Sequence, residues 1–514
     1  MNKQTRFILS LISIVTASVP VIAQSDSLIR FSDLNYHSDF EQKAFRNFVL
    51  HNRDTFNLFL AIDETMTENE AAGRKDIYLS AFRDLEEKKI QDKKLNKKIK
   101  LSYSCIHDKF LKKYNSNEYF PGIFQTGIYN CVSASMLYAM VFDRLNIPYA
   151  VKASSSHVYL VANPGSNSIV IETTNPGFEQ QIFTGEFKQQ YVNYLRTSKL
   201  ISESEYKNKS VEEIFEEKFK EVKDAGFNNL PGIQYYNKAL SKFQNNEIAE
   251  ALSLSQKAYF FYPDNQVKTL LNAVLLYYIE KCNFDKVSDI DYLAQLSRFE
   301  NTDLNAIAGI FSNIINHHLQ YTNKEAFCDS LNNRLLSQLT DKNLIEEVNF
   351  NYNMQMSYRY QNSDKIEKYV ARALAIKGNY NHARIMMESY LQRKLYRISG
   401  SDALLDTIAR IEKQYDYEFI KSILQEHKLR AYLQKASNSF EQKRITEGDK
   451  YLLEFEKNCE YPIKNQILRS LVENTYREVA IYYFYKGNKS KAKSYVDRGL
   501  IYVPNSRLLQ SSIY

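Results

Sequence analysis

Tryptophan is absent from the sequence, and glycine and proline are scarce, with 14 and 9 residues in a chain of 514. Tight turns depend on glycine and proline, so their scarcity disfavours an all-β fold in which short strands alternate with turns. The large packing groups are 39 Tyr and 30 Phe, within an ordinary hydrophobic content of 44%. The chain is too long for one hydrophobic core, and we therefore expect a mainly helical protein of two to four domains.

Cysteine is also sparse. The five residues are far apart and form no C-x-x-C pair, which argues against a zinc cluster; they are Cys105, Cys131, Cys282, Cys328 and Cys459. An odd count in an exported chain leaves at least one thiol unpaired, and Cys131 is the candidate. The pairing of the other four stays open. We expect neither a bound metal nor another cofactor.

Strong charge of one sign is lacking as well, because the net charge is only +7. Seven lysines between Lys88 and Lys100 account for much of it, and the Ile and Leu residues among them recur at roughly helical spacing. We interpret this stretch as the solvated face of a helix. It lacks the interleaved aromatic residues of a nucleic-acid-binding surface, so no nucleic acid partner is expected.

The first 23 residues have the pattern of a signal peptide. Lys3 and Arg6 precede an apolar stretch from Phe7 to Ile22, and Ala23 completes a small-residue cleavage pattern. Ser, Thr and Pro interrupt the apolar stretch, which is too short for a comfortable membrane span. We predict cleavage after Ala23 and a periplasmic or secreted protein without stable membrane insertion. An uncleaved anchor is the alternative.

The rest of the chain changes character twice. Residues 24–99 have helical spacing, and residues 100–195 contain strand-like apolar runs separated by Pro-Gly pairs. Helical spacing then returns and continues to the end. This pattern predicts an N-terminal helical region, a mixed domain at 100–195, a helical linker at 196–229 and a helical domain at 230–514.

The helical domain contains weak internal repeats. Small residues, an aromatic residue and a proline fall at offsets 0, 3, 7, 12, 19 and 24 in Ala480, Tyr483, Gly487, Ala492, Gly499 and Pro504. Partial copies of the same spacing run from Ala239 to Pro263 and from Ala371 to Tyr390. The spacing resembles the tetratricopeptide (TPR) repeat. The resemblance implies an all-α solenoid of TPR-like helical hairpins, whose concave surface binds a protein partner. A plain helical bundle without a groove is the alternative.

A cysteine stands where a helix is predicted to begin. Asn130 is a favourable N-cap, and apolar residues cover most sides of the helix predicted from Val132 to Leu145. Asn146-Ile147-Pro148 ends that helix. Because the N-terminal end of a helix dipole is positive, it stabilises a thiolate at Cys131, which suits a nucleophile.

Three strand-like segments follow the cysteine, at 149–153, 157–162 and 169–174. Asn163-Pro164-Gly165-Ser166, between the last two, suits a type II turn. If the strands pair symmetrically about this turn, His157 and Glu172 face each other within hydrogen-bond reach. A cysteine nucleophile needs a base, and the base needs an acceptor that orients it, so the three residues form a candidate catalytic set.

The same residues resemble the transglutaminase-like superfamily, which includes bacterial cysteine peptidases as well as amide cross-linkers. The matching segments are 130–135, 145–149, 157–160 and 171–174. The resemblance covers roughly residues 100–195. It implies an α+β transglutaminase-like (papain-like) domain with Cys131 as nucleophile, His157 as base and Glu172 as the residue that orients the base.

The sequence departs from the family pattern in two places. Glu172 stands where the family usually has Asp, with Asn175 as a fallback orienting residue, and the chain lacks the Trp that many members have near the site. Gln125 lies six residues before Cys131, the separation at which papain-like enzymes place an oxyanion-hole glutamine. A surface position in a loop is the alternative for Gln125.

Together these features predict an exported cysteine-dependent amide hydrolase or acyltransferase that acts on peptide or protein amides. Hydrolysis and amine transfer both stay open, because nothing in the sequence identifies an amine site. The rival hypothesis is a non-catalytic protein-binding scaffold that retains an inactive transglutaminase-like domain.

Overall fold

The computed structural model describes residues 27–513 except for 52–53, 155–156, 166–167, 173–184, 186–187, 190–191, 194–195, 197–200, 221, 301 and 323. Within these residues the chain is mostly helical, with a small region that combines helices and strands. The mainly helical character predicted from composition is thus confirmed. The predicted signal peptide at 1–23 and the residue Asn175 lie outside the described residues.

The chain divides into two compact units, Met1–Thr302 and Asp303–Tyr514. The division falls inside the region predicted as a solenoid, 230–514, and the domain boundaries drawn from the sequence stay predictions. Each unit is described here by itself.

The first unit contains the strands and about half of the helices. Its described helices are α1 Asp39–Arg46, α2 Thr55–Leu60, α3 Glu68–Glu87, α4 Leu95–Phe110, α5 Phe120–Gln125, α6 Cys131–Arg144, α7 Glu203–Asn208, α8 Val211–Lys220, α9 Leu230–Gln244, α10 Ile248–Phe261, α11 Asn265–Lys281 and α12 Asp291–Leu296. Its described strands are β1 Lys113–Tyr114, β2 Ile128–Tyr129, β3 Tyr149–Ala153, β4 Val158–Ala162, β5 Ile169–Ile171 and β6 Lys223–Ala225.

Four of these strands form one antiparallel sheet in the order β5-β4-β3-β6. Because side chains alternate along a strand, the sheet has two distinct faces. Val158, Leu160 and Ala162 of β4 join the main core of the unit, whereas Tyr159 and Val161 pack with residues of α7 and α8. A separate parallel pair, β1 and β2, leads into α6.

Helix α6 is the centre of the main core. Every residue from Cys131 to Phe142 is buried, and the helix contacts α4, α5, α9 and strands β3 and β4. The observed bounds, Cys131–Arg144, lie within one residue of the helix predicted from the sequence. Its apolar surface on most sides is therefore explained by burial between helices and sheet.

Helices α9 and α10 form a hairpin that packs directly on this core. Gly232 lies so close to α10 that an added Cβ would stand 2.5 Å from the Cβ of Tyr262 and 2.7 Å from the carbonyl oxygen of Ala258. Ala239, Ala251 and Ala258, the small residues of the predicted repeat, are all fully buried. Small residues thus allow the close approach of the two helices.

The second unit is helical throughout its described residues. Its helices are α13 Leu304–His317, α14 Glu325–Gln338, α15 Lys342–Arg359, α16 Ile366–Ile376, α17 Asn381–Tyr396, α18 Ser401–Gln414, α19 Glu418–Glu441, α20 Ile445–Asn458, α21 Gln466–Tyr485, α22 Lys489–Tyr502 and α23 Arg507–Gln510. Sequential neighbours contact each other along most of this unit, as in a series of helical hairpins.

The repeat spacing read from the sequence coincides with two of these hairpins. Gly378 separates α16 from α17, and Gly487, with φ of +77°, separates α21 from α22. Gly499 of α22 approaches α21 so closely that a Cβ there would stand 3.0 Å from the Cβ of Tyr476. In the hairpin of α21 and α22, Gly487 therefore provides the left-handed turn and Gly499 allows the close contact of the two helices.

The lysine-rich stretch of the first unit is interrupted between α3 and α4. Five of its seven lysines are exposed, and two, Lys93 and Lys98, are half-buried. Ile90 and Ile99 from the same stretch are buried. Among the described residues, no helix combines the length and the apolar character needed to cross a bilayer.

Candidate active site

Cys131 is the first residue of α6, and a capping box fixes that helix start. The Asn130 carboxamide oxygen accepts the Ser133 N–H at 2.8 Å, and the Asn130 N–H donates to the Ser133 hydroxyl at 2.9 Å. The Asn130 amide group also donates to the carbonyl oxygens of Ser116 and Glu118. The predicted N-cap is confirmed, and Cys131 therefore stands where the first helical amides point out of the helix.

His157 lies directly before β4, in the hairpin that joins β3 to β4. The Ser154 N–H donates to the His157 carbonyl oxygen at 2.8 Å, and the His157 N–H donates to the Ser154 hydroxyl at 3.1 Å. The imidazole ring is fully buried. These contacts hold the histidine backbone from both sides.

The cysteine and the histidine meet in one pocket. Both line it, and the Cys131 side chain lies near enough to the His157 ring to contribute to the raised pKa of that ring. The Ser135 hydroxyl, one turn after Cys131, donates to the carbonyl oxygen of Val158 at 3.3 Å and so ties α6 to β4. Helix and strand thus carry the two groups toward each other as a fixed pair.

Glu172 contacts the same ring from another direction. The His157 Nε2–H donates to the Glu172 carboxylate, at 3.1 Å from Oε1 and 3.0 Å from Oε2. The structure therefore brings Cys131, His157 and Glu172 together in the order that nucleophile, base and orienting acceptor require.

The pairing that produces this contact differs from the one expected. In the observed register Leu160 stands opposite Ile171 and Ala162 opposite Ile169. When this register is continued by one residue, Glu172 stands opposite Tyr159, which is two residues after His157. The expected register, symmetric about the turn, is therefore wrong by two residues. An even shift keeps side chains on the same face, and His157 and Glu172 become diagonal neighbours.

The diagonal position explains why a glutamate fits here. Diagonal neighbours in an antiparallel pair lie about 7–8 Å apart, against about 4.5–5.5 Å for directly opposite residues. The additional methylene of glutamate helps its carboxylate to span this longer separation. The departure from aspartate is thus compatible with the observed register.

The charges of the set act on the histidine. Burial disfavours the imidazolium, but the charge of Glu172, the nearby Cys131 and the hydrogen bond that the ring donates to Glu172 outweigh it, so the pKa of His157 is raised to about 10. The ring therefore holds a proton at neutral pH.

Tyrosines surround the histidine and the carboxylate. The ring of Tyr159 stacks on His157 with centroids 5.9 Å apart. Burial, with the charge of Glu172 as a smaller cause, raises the pKa of Tyr129, and burial raises the pKa of Tyr103 to about 12. Tyrosine thus supplies the aromatic surroundings in a chain that has no Trp.

The remaining predicted site residues are not part of this pocket as described. Gln125 ends α5 and is exposed, and it is not among the residues that line the pocket beside Cys131. Asn175 lies outside the described residues. Among the described residues, no group of three or more His, Cys, Asp and Glu side chains is placed to hold a metal ion.

The other four cysteines have a different environment. All five cysteines fall within the described residues and are free thiols. Burial raises the pKa of the Cys105 and Cys282 thiols, and it raises those of Cys328 and Cys459 to about 11. These four therefore stay protonated at neutral pH, and Cys131 is the cysteine paired with the His157 ring.

Part of the pocket was not foreseen. Its wall opposite β3 and β4 comes from α9, the end of α10 and α11, which lie about 100 residues further along the chain. The helical spacing of these residues predicts their helices but not their position beside Cys131. The serines that hold the site, Ser135 and Ser154, were also missed, although Ser135 lies four residues from Cys131 on a predicted helix.

Comparisons of the chain with protein-family models, with curated proteins and with solved structures found no match. We therefore infer the chemistry of the site from its own geometry. A cysteine at a helix start can attack a carbonyl carbon when a histidine lies beside it and a carboxylate holds the ring of that histidine.

Proposed function

We propose that this protein is a cysteine-dependent amide hydrolase or acyltransferase that acts on peptide or protein amides. The observation that carries the proposal is the position of the His157 ring, which lies with Cys131 in one pocket and donates Nε2–H to Glu172 at 3.0 Å. We further propose that the α+β region belongs to the transglutaminase-like superfamily and that the helical hairpins form a TPR-like solenoid. Both assignments extend the resemblances seen in the sequence.

In this mechanism His157 holds the proton before the reaction begins. The Cys131 thiolate attacks the amide carbon, and the resulting oxyanion is held by the outward-facing first amides of α6. The imidazolium gives its proton to the leaving nitrogen, the C–N bond breaks, and an acyl thioester remains on Cys131. Water or an amine then attacks the thioester, passes a proton to His157, and releases the acyl group from Cys131.

We propose that the enzyme acts outside the cytoplasm. The support for this is the signal-peptide pattern of residues 1–23, with cleavage after Ala23. The partner surface of the hairpins is the second part of the proposal, because stacked helical hairpins present extended concave surfaces.

A thiol-labelling experiment tests the nucleophile. The full-length protein is treated with a low concentration of iodoacetamide at pH 7, and carboxamidomethylation of each cysteine is followed by mass spectrometry. We expect Cys131 to be modified before the other four, whose thiols are protonated. Equal and slow modification of all five cysteines would contradict an activated nucleophile.

A second arm separates the enzyme from the scaffold. The protein is incubated with fluorescently labelled casein, and released peptides are measured for the native chain and for Cys131→Ala. Loss of release in the variant supports the enzyme, with a thermal unfolding midpoint equal to that of the native chain as control. No release by either protein, combined with unreactive Cys131, supports the non-catalytic scaffold.

A further inference from the structure

The pocket beside Cys131 has a wall that belongs to the helical hairpins. Ile233, Tyr236 and Asn237 of α9 line it, together with Tyr262 after α10 and Gln266 of α11. Residues 233, 236 and 237 have the i, i+3, i+4 spacing that places side chains on one face of a helix. One face of α9 is therefore turned toward the reacting groups.

The adjacent residues of α9 anchor the helix on the rest of the unit. Gln234 accepts the Phe120 N–H at 2.9 Å and donates to the Phe59 carbonyl oxygen at 3.2 Å, while the Tyr235 hydroxyl donates to Glu41 at 3.0 Å. Gln234, Tyr235 and Glu41 are all buried. Helix α9 is thus a fixed wall of the cleft.

The lining of this wall is polar but carries no unbalanced charge among the described residues. Hydroxyl and carboxamide groups come from Tyr236, Asn237, Tyr262 and Gln266, and the Tyr236 hydroxyl is hydrogen-bonded to Gln266. Where the cleft continues past Ser154, its two charged residues, Lys223 and Asp264, form an ion pair at 2.7 Å. The opposite charges therefore cancel at the rim.

The floor of the cleft beside Cys131 is apolar. Val132, Val158 and Val267 line it and are nearly inaccessible to solvent. A charged group placed between this floor and the polar wall loses water, and the imidazolium of His157 in the same pocket is already paired with Glu172, so the loss is not compensated. A neutral group with hydrogen-bonding capacity finds carboxamides and hydroxyls instead.

We infer that Asn237 and Gln266, with Tyr236, form a binding site for an uncharged polar side chain of the peptide substrate, next to the amide that Cys131 attacks. This inference rests on the proposed function and deepens it, because it names the substrate class that the helical wall selects. The hairpin α9–α10 and the start of α11 then determine specificity at the active site itself.

The experiment uses electrophiles that carry one amino acid. Four N-acetylaminoacyl vinyl sulfones, with Gln, Leu, Asp or Lys side chains, are reacted with the full-length protein at pH 7. The second-order rate of Cys131 modification is measured by mass spectrometry. We expect the Gln probe to react about tenfold faster than the Asp and Lys probes, and about three- to tenfold faster than the Leu probe, the factor that one or two hydrogen bonds provide.

Variants of the wall assign the preference to its residues. Asn237→Ala and Gln266→Ala should each reduce the rate with the Gln probe about three- to tenfold and leave the rate with the Leu probe nearly unchanged. Gln266 is exposed, so its replacement tests the wall even if Asn237→Ala fails to fold. Gln244→Ala, at the exposed end of the same helix, is the control and should change neither rate.

Iodoacetamide, which is small and neutral, separates this inference from the proposed function. If it modifies Cys131 rapidly while all four probes react at equal rates, the specificity site is refuted and the nucleophile stands. The inference is also refuted if the Asp or Lys probe reacts fastest. If iodoacetamide does not distinguish Cys131 from the other thiols, the proposed function and the inference both fail.

Discussion

Glu172 decides the charge state of the candidate active site. Its carboxylate is the largest favourable influence on the imidazolium of His157, which is otherwise penalised by burial. The side chain is 17% exposed, whereas that of His157 is fully buried. The carboxylate is thus nearer to solvent than the buried ring that it contacts.

Replacing Glu172 should change the way in which folding stability depends on pH. The folded-state pKa of His157, about 10, lies above the ordinary value of 6.5, so its contribution is complete below pH 6.5 and is lost as pH rises through about 10. Glu172→Gln removes the main cause of the raised pKa. We expect the native chain to exceed the variant in free energy of unfolding by most at pH 6.5, and by progressively less toward pH 10.

Urea unfolding of both proteins at pH 6.5, 8 and 10 measures this difference. Glu203→Gln, which removes an exposed carboxylate of the same unit, should show a difference that does not change over this range. Glu172→Asp retains the charge but shortens the reach across the diagonal, so an intermediate result is expected. A constant difference between native protein and Glu172→Gln would refute the assigned role of the carboxylate.

The sequence predicted that the side chains of Cys131, His157 and Glu172 lie together, but not how they meet. Each of the three residues has a local signal in the sequence. Cys131 follows an N-cap, His157 begins a strand-like run, and Glu172 lies in the strand-like run after the turn. The register was missed by two residues, since the even shift keeps the same face buried and leaves the apolar pattern unchanged. Local patterns cannot distinguish two registers that bury the same residues.

Gln125 shows the limit of a spacing argument. Its separation of six residues from Cys131 is correct for an oxyanion-hole glutamine, but the side chain is exposed at the end of α5. Gly127, with φ of +74°, lies between the two residues and redirects the chain before β2. Equal spacing in sequence therefore does not give an equal position in space.

At the scale of elements, the wall of the cleft depends on how closely α9 and α10 approach. Pro231 and Gly232 lie in the first turn of α9, and Gly232 packs closely against the backbone at the C-terminal end of α10. Tyr262, which lines the pocket, follows directly after α10. The glycine therefore determines where this part of the wall stands relative to the other helix.

A methyl group at Gly232 should disturb this arrangement. Gly232→Ala places a Cβ 2.5 Å from the Cβ of Tyr262, so the helices must separate, and we expect a loss of about 1–3 kcal/mol in the free energy of unfolding. Urea unfolding gives the value. Gly73→Ala in α3 is the matched control: no atom lies within 4 Å of the added Cβ, and the variant should gain up to about 1 kcal/mol. Equal effects of the two variants would show that the close contact has no energetic weight.

The elements themselves were largely predictable, and their partners were not. The helix after Asn130, the strand segments and the hairpins around Ala239, Gly378 and Gly487 all follow from periodicity and from turn residues. Helix α9 is tied to α5 and α2 by Gln234, a buried residue whose backbone partners, Phe120 and Phe59, lie 114 and 175 residues away. A single polar residue of this kind has no periodic signal.

At the scale of the first compact unit, a buried ion pair joins the beginning of the chain to the helical hairpin. Lys257 of α10 donates to both oxygens of Glu41 in α1, at 2.8 and 2.9 Å, across 216 residues of sequence. Both side chains are almost inaccessible to solvent, and the Tyr235 hydroxyl and the His37 N–H complete the hydrogen bonds to the carboxylate. The pair therefore contributes to holding α1 against the hairpin that forms the wall of the candidate active-site cleft.

Removing one member of this pair should be costly, because the other charge is then buried without compensation. We expect Lys257→Met to lower the free energy of unfolding by about 3–5 kcal/mol, and the double variant Glu41→Gln/Lys257→Met to lower it by less. Hydrogen exchange followed by mass spectrometry locates the effect, which should appear in peptides covering both α1 and α10. Lys43→Met, which breaks an exposed pair with Glu68 in the same region, should cost about 1 kcal/mol or less. If Lys257→Met costs no more than Lys43→Met, or if exchange rises in α10 alone, the buried pair does not hold the N-terminal helix to the cleft wall.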